Sequence, residues 1–205
     1  MPRPTITEFA DRFAVGISLD HLWSETMGLP IDDKEQVLAV LVRVLEETGT
    51  PYALIGGVAV QLYTEEPRTT ADLDVALSSR VDVPREALAA AGFSPDGEYA
   101  WSENWRGPAP EHTPRKRRVA VQFSADDLMA RVVSNAEAVS VGSFWIKLAT
   151  ISDLVLLKLA AAEEPMRRPH KRLQDTVDVL HLLEEHTELD TVAVRERLAI
   201  IRSSI

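Results

Sequence analysis

From Tyr52 to Asp74 the chain reads YALIGGVAVQLYTEEPRTTADLD. Tyr52–Ile55 predicts a short buried strand, Gly56-Gly57 follows it directly, and residues 58–63 predict a helix. After a loop, Asp72–Leu77 predicts a second strand. A glycine pair alone is more often a tight turn. Between a strand and a helix, however, it places backbone N–H groups and a positive helix end where a phosphate could approach.

Two carboxylates lie at the start of the second predicted strand. Asp72 and Asp74 are two positions apart, so their side chains leave the same face of the strand. Two like charges at that distance repel each other unless a cation lies between them. Carboxylate oxygens suit magnesium, which commonly takes one or two of them together with substrate phosphates. The alternative is a strand at a sheet edge with two solvated aspartates.

The combination resembles the polymerase-β-type nucleotidyltransferase fold, whose minimal members include the AbiEii-type and MenT-type toxins of toxin–antitoxin pairs. Two segments carry the resemblance at the start, Ile55–Ala59 and Arg68–Asp74. Two more, Asp153–Leu159 and Arg172–Asp178, are similar to the family's Lys-bearing helix and the R-x-x-D-x-x-D helix that follows it. The resemblance covers about residues 34–187. It implies an NTP substrate, with Gly56, Gly57 and Lys158 at its phosphates. Arg68 and Thr70 would position the acidic strand or touch phosphate.

Lys158 is the only charge between Asp153 and Glu163, in a helix that is apolar nearly all round. It shares one helix face with Leu154 and Val155. A lysine there either reaches out to water or points its ammonium at an anion. The resemblance implies the second, with Lys158 holding the triphosphate.

Asp175 and Asp178 lie one turn apart on the next predicted helix. They could simply form exposed pairs with Lys171 and Arg172, an arrangement worth well under 1 kcal/mol. The resemblance implies instead that Asp175 faces the site, as a fourth catalytic residue beside Asp72, Asp74 and Lys158. There it would orient Lys158 or assist the acceptor hydroxyl.

One position departs from the family pattern. Many members carry a third metal-binding aspartate on the strand that we expect at Arg118–Ser124. The corresponding side chain here is Gln122, which is neutral and weakens a two-metal site. The resemblance therefore implies magnesium bound by Asp72 and Asp74.

Composition limits the class of protein. The chain has 205 residues, of which 45% are hydrophobic and 26% charged, as is ordinary for a globular domain. The absence of cysteine excludes disulfides, Cys-ligated metals and thiol catalysis. The apolar stretches are too short to span a bilayer, and the first residues do not resemble a signal peptide. We expect a cytoplasmic protein with no membrane partner.

The charge distribution bears on nucleic-acid binding. The net charge of −10 disfavours a protein that coats nucleic acid. Two basic islands nevertheless stand out, and each is either a solvated loop or a local phosphate contact. They are Arg115, Lys116, Arg117 and Arg118, and then Arg167, Arg168, Lys171 and Arg172.

The predicted fold class is α/β (α+β): a mixed β-sheet flanked by helices, with a C-terminal helical subdomain. We divide the chain into an N-terminal extension (1–33), a nucleotidyltransferase α/β core (34–146) and the helical subdomain (147–205). The extension predicts one short helix near Leu19–Met27. Residues 94–114, rich in proline and glycine, predict mostly loop with a strand at Tyr99–Ser102. Ser152 predicts the cap of the helix that carries Lys158.

The resemblance implies a magnesium-dependent nucleotidyltransferase that modifies the tRNA 3′ end as a translation-blocking toxin. The basic islands would then contact RNA, and a cognate antitoxin would exist. Two alternatives stay open. One is nucleotidyl transfer to a small molecule of the aminoglycoside type or to a protein hydroxyl. The other is a catalytically inactive member that binds a nucleotide or a partner.

Overall fold

The computed structural model of the protein describes residues 6–26, 34–66, 70 and 72–203, and the predicted phosphate-site residue Arg68 lies outside them. Helices in this part of the chain are α1 (Ile6–Thr26), α2 (Lys34–Glu47), α3 (Gly56–Tyr63), α4 (Arg85–Ala90), α5 (Asp127–Asn135), α6 (Ile151–Glu163), α7 (Pro169–Glu185) and α8 (Thr191–Ser203). Strands are β1 (Tyr52–Ile55), β2 (Asp72–Leu77), β3 (Ser94–Glu98), β4 (Ser102–Arg106), β5 (Ala120–Ala125), β6 (Glu137–Val141) and β7 (Phe144–Leu148). No helix within these ranges is both long and apolar enough to cross a membrane.

The strands form one mixed seven-stranded sheet in the order β3-β4-β5-β2-β1-β7-β6. The central strand β2 pairs antiparallel with β1 and parallel with β5, and β1 pairs parallel with β7. The predicted fold class, a mixed sheet flanked by helices, is confirmed.

The two faces of the sheet differ in what covers them. On one face Leu73, Val75 and Leu77 of β2 join the main hydrophobic core with α1, α2 and α3. On the other face a smaller cluster joins Ala76 to Val132 of α5. Because side chains alternate along a strand, Asp72 and Asp74 lie on the same face as Ala76. The α5 face is therefore apolar at the C-terminal half of β2 and acidic at its N-terminal half.

The N-terminal region departs from the prediction. Instead of a short helix near Leu19–Met27, α1 is 21 residues long and starts at Ile6. Its buried residues Phe9, Phe13 and Ile17 recur every fourth position and form a narrow stripe against the core. Two polar residues, Asp11 and Arg12, and an apolar one, Val15, lie between the stripe positions, so the sequence shows no clean helical period here.

The proline-rich region also departs from the prediction. Residues 94–106 form the β3–β4 hairpin, and residues 99–101, at which we expected a strand, lie between its two strands. Strand β3 tolerates Pro95 because it is the sheet edge, and the pairing register shifts between Pro95 and Gly97. The predicted cap of α6 is off by two residues: the Thr150 hydroxyl accepts the Asp153 N–H at 3.2 Å.

We predict that Phe13→Ala lowers the free energy of unfolding by about 3–5 kcal/mol, since it opens a cavity in a packed core. Phe13 is 3% exposed. Val15→Ala is the matched control on the same helix, because Val15 is 48% exposed, and it should change stability by less than about 0.5 kcal/mol. Urea unfolding measures both values. Equal costs would show that α1 does not pack as the structure has it.

Candidate active site

A cavity of about 500 Å³ opens beside the N-terminal half of β2. Its walls come from the Gly56-Gly57 turn, β2, β5, α6 and α7. Among the lining residues are all four predicted catalytic residues, Asp72, Asp74, Lys158 and Asp175. The predicted phosphate-site residues Gly56, Gly57 and Thr70 line it as well. The structure thus brings together residues that are far apart in the chain, from Gly56 to Asp175.

The glycine turn makes room for Asp74. Gly56 has a φ of +71°, in the left-handed region that favours glycine. A Cβ at this position would lie 1.9 Å from Asp74 Oδ2 and 2.6 Å from Asp74 Cβ. The next residue, Gly57, donates its backbone N–H to the Asp74 carboxylate. The turn is therefore fitted to a carboxylate before any ligand is considered.

The environment of Asp74 disfavours its charge. Burial, reinforced by the neighbouring charge of Asp72, raises the pKa of Asp74 to about 6. Lys158, the Gly57 N–H and Arg167 oppose this shift but do not cancel it. Asp72 itself is exposed. The negative charge of Asp72 and Asp74 is therefore not fully neutralised by the cations and the N–H group around them.

The oxygen donors of this pair fit a magnesium ion. In register with Asp74, Gln122 stands on β5 at the position expected from the family pattern and offers a neutral amide oxygen. Within the described ranges, no group of three or more His, Asp or Glu side chains is placed to hold a metal. Magnesium needs only one or two carboxylates when substrate phosphates and water complete its shell, so Asp72 and Asp74 suffice.

Lys158 is the centre of a buried ion cluster between α6 and α7. Its Nζ lies 3.0 Å from Asp175 Oδ1 and 2.7 Å from Asp178 Oδ2. Arg167 Nε lies 2.6 Å from Asp175 Oδ2. Asp175 and Asp178 are 2% and 1% exposed, so the alternative of exposed surface pairs for them is wrong. Losing one member of such a cluster is costly, because it leaves an uncompensated buried charge.

The two basic islands differ in their relation to the cavity. From the second, Arg167 and Lys171 line it, while Arg168 precedes α7 and the Arg172 Nε donates to the Ala162 carbonyl at 2.7 Å.

The first island precedes β5 and is not among the lining residues. Arg115 pairs with Asp96 at 3.0 Å and donates to the Pro95 carbonyl, and Arg118 donates to Thr113. Lys116 and Arg117 are exposed.

Two site-associated residues were missed by sequence reasoning. The backbone N–H of Thr70 donates to Asp20 Oδ1 at 3.2 Å, and Lys34 Nζ contacts both Asp20 Oδ2 and the Thr70 carbonyl. One signal was present: Lys34 is the first residue of α2, where the positive end of the helix disfavours a cation. A lysine there calls for an anionic partner, but nothing in the sequence identifies Asp20.

Comparison with known proteins gives a family and a set of similar folds. Residues 34–202 match the family described as "Nucleotidyl transferase of unknown function (DUF2204)". No curated protein matches the chain significantly.

Three solved structures show the fold. The antibiotic-resistance factor ANT(2″)-Ia has a TM-score of 0.56 at 12% identity, over 82% of this chain and 91% of its own. An antigenic nucleotidyltransferase-like protein from Paracoccidioides brasiliensis has a TM-score of 0.52 at 18% identity, over 73% and 74%. JHP933 from Helicobacter pylori has a TM-score of 0.53 at 19% identity, over 74% and 65%.

We predict that Gly56→Ala costs at least about 2 kcal/mol more stability than Gly49→Ala, because only the first forces Asp74 to move. Gly49 is the matched control: its φ is +63°, and a Cβ there meets nothing within 4 Å. Its substitution should cost only the backbone strain, about 1–2 kcal/mol. Chemical denaturation of both variants measures the difference, and equal costs would refute the close contact between Gly56 and Asp74.

Proposed function

The chain belongs to the DUF2204 family of nucleotidyl transferases, and we propose that it transfers a nucleoside monophosphate from an NTP to an acceptor hydroxyl in the cavity beside β2. The observation that carries this proposal is the placement of Asp72 and Asp74 on one face of β2, opposite Lys158 and Arg167 in the same cavity. In the reaction the acceptor oxygen bonds to the α-phosphorus, the bond to pyrophosphate breaks, and the hydroxyl proton passes to solvent water.

Asp72 and Asp74 would hold magnesium. When bound, the ion would supply charge neutralisation at the phosphates and a lower pKa of the acceptor hydroxyl. Asp72 is exposed to the cavity and can meet solvent or substrate, while Asp74 is fixed by the Gly57 N–H. The site thus has one carboxylate that is open to ligands and one that is held by the backbone.

Lys158, Arg167 and Lys171 would attract the triphosphate, together with Gly56 and Gly57 at the start of α3. The Gly57 N–H already bonds Asp74, so this glycine contributes first of all through the carboxylate. Arg68 and Thr70 would position the acidic strand or touch phosphate.

Of the two roles considered for Asp175, we propose orientation of Lys158. Its two carboxylate oxygens are occupied by Lys158 and Arg167, and its side chain is buried. A proton acceptor would need an oxygen open to the substrate.

We further propose that the acceptor is the 3′ end of tRNA and that the modification blocks translation. The motif resemblance to minimal toxin-type nucleotidyltransferases supports this, as do Arg167 and Lys171 at the cavity and the exposed Lys116 and Arg117. The proposed substrates are cytoplasmic, which is the compartment that we expect. A toxin of this kind implies an antitoxin, either a partner protein or an enzyme that modifies this one.

A small cationic acceptor is the second candidate. It is favoured by the net charge of −10 and by the exposed carboxylate of Asp72 at the cavity. The antibiotic-resistance factor ANT(2″)-Ia shares the fold, which is compatible with such an acceptor but shows only the fold. A protein hydroxyl is a further acceptor of the same reaction class.

We predict that Asp72→Asn slows nucleotidyl transfer at least about 100-fold, because it removes one of two magnesium ligands at the point where charge develops. Folding should not change, since Asp72 is exposed. The assay incubates the protein with magnesium, total tRNA and each α-labelled NTP in turn and measures label in RNA.

Asp127→Asn is the matched control for this assay. It also removes an exposed carboxylate, at the start of α5, but Asp127 does not line the cavity. Transfer that survives Asp72→Asn would overturn the metal role of the pair. Tight NTP binding without label in RNA would overturn the tRNA acceptor and leave the small molecule or protein.

We predict that Lys116→Gln/Arg117→Gln raises KM for tRNA and leaves KM for NTP unchanged. Each lost phosphate contact should reduce the slope of log affinity against log salt by about one. Lys171→Gln, which acts at the cavity, should raise KM for NTP as well. Steady-state kinetics at several salt concentrations measures these constants. An unchanged KM for tRNA in the double variant would contradict an RNA contact at the first island.

A further inference from the structure

In the part of the chain that the structure describes, the start of the strand that carries Asp72 is paired with a neighbouring strand on one side only. Pairing with β1 ends at Ile55 opposite Asp74, because the chain then turns at Gly56. Among the strands of the described ranges, Asp72 pairs with Ala120 of β5 and has no partner on β1. Its position therefore depends on β5 and on whatever holds the residues immediately before it.

Thr70, two positions before Asp72, is held by two side chains from the N-terminal region. Its N–H donates to Asp20 Oδ1 at 3.2 Å, and its carbonyl accepts from Lys34 Nζ. Asp20 belongs to α1 and Lys34 to the first turn of α2. Both backbone polar groups of Thr70 are thus bonded to a pair of opposite charges that are also bonded to each other.

Burial makes this arrangement hard to replace. The side chains of Lys34 and Asp20 are 5% and 15% exposed. A buried ammonium at a helix N-terminus is doubly unfavourable without an anion. Asp20 compensates Lys34 with one oxygen and holds the Thr70 N–H with the other, so it fixes the cation and the backbone together.

A second set of contacts links α1 to the other end of the segment that joins α3 to β2. Arg12 lies 3.5 Å from Glu65 and donates to the Leu62 carbonyl at 3.5 Å, while the Glu65 N–H donates to Glu185 of α7 at 2.7 Å. Helix α1 thus contacts the chain both just after α3 and just before β2.

We propose that Asp20, acting with Lys34, is a positioning residue of the nucleotidyl-transfer site that holds Thr70 and thereby sets the placement of Asp72 for metal binding. This inference rests on the proposed function. It assigns a role in the reaction to α1, which lies outside the 34–202 region of the family match. Asp20 touches neither metal nor nucleotide and acts through the backbone.

The test compares wild-type protein with Asp20→Ala, Asp20→Asn and the control Ile17→Ala, using the full chain. Ile17 is buried on the same helix, so its truncation weakens the packing of α1 without removing a contact to Thr70. Two quantities are measured: the dissociation constant for Mn²⁺ in the presence of ATP, and backbone hydrogen exchange over residues 70–77.

Asp20→Ala should weaken Mn²⁺ binding about 10-fold, in the range found for residues that orient metal ligands, and should speed exchange at residues 70–74. Asp20→Asn keeps an oxygen for the Thr70 N–H and should lose less Mn²⁺ affinity than Asp20→Ala. Ile17→Ala should lower the melting temperature and leave the Mn²⁺ constant unchanged.

Three results would overturn the positioning role. They are unchanged exchange at residues 70–74 in Asp20→Ala, an unchanged Mn²⁺ constant despite faster exchange, and an equal loss of Mn²⁺ affinity in Ile17→Ala. Failure of the proposed function has a separate signature, in which the wild-type protein binds Mn²⁺ no better than Asp72→Asn. Hydrogen exchange then still decides whether Asp20 holds the start of β2.

Discussion

The carboxylate of Asp74 occupies the space that a side chain on Gly56 would need, and this steric constraint organises the centre of the molecule. Glycine at position 56 lets the chain change from β1 to α3 between two consecutive residues, directly beside β2. The same turn presents the Gly57 N–H to the carboxylate. Backbone conformation, strand register and the position of a charged group are therefore fixed by one contact.

This contact places a charge where the protein does not favour one. The raised pKa of Asp74 means that its ionisation is opposed by burial and by Asp72. The nearby cations do not fully neutralise the charge of Asp74, because they are paired with other carboxylates. Lys158 is bonded to Asp175 and Asp178, and Arg167 is bonded to Asp175. A cavity with this balance is not a strongly positive site that would hold a triphosphate by itself. A divalent cation beside Asp72 and Asp74 would make the local charge of the cavity positive. Nucleotide and metal should therefore bind together.

Local sequence patterns and the family resemblance predicted the centre of the sheet and most of the charged residues that line the cavity. The strand before Gly56, the acidic strand β2 and the lysine face of α6 each have a signal within a few residues. The β3 edge could not be predicted in this way, because Pro95 is tolerated only when the sheet leaves that strand unpaired on one side. The stripe of α1 was missed for a similar reason: Phe9, Phe13 and Ile17 are buried by α3 and β6, which lie far away in the chain.

The contacts around Thr70 show the same limit most clearly, because they join residues 20, 34 and 70 through two backbone groups and one ion pair. The sequence pattern of a single helix cannot predict these contacts, because the partners of Asp20 and of Lys34 lie on other parts of the fold. The region shared with the family begins at Lys34, and the anion that compensates this lysine lies before it. A segment that begins at residue 34 would keep the cation and lose its counter-charge beside the acidic strand. The N-terminal helix therefore belongs to the same electrostatic unit as β2, even though the family pattern does not include it.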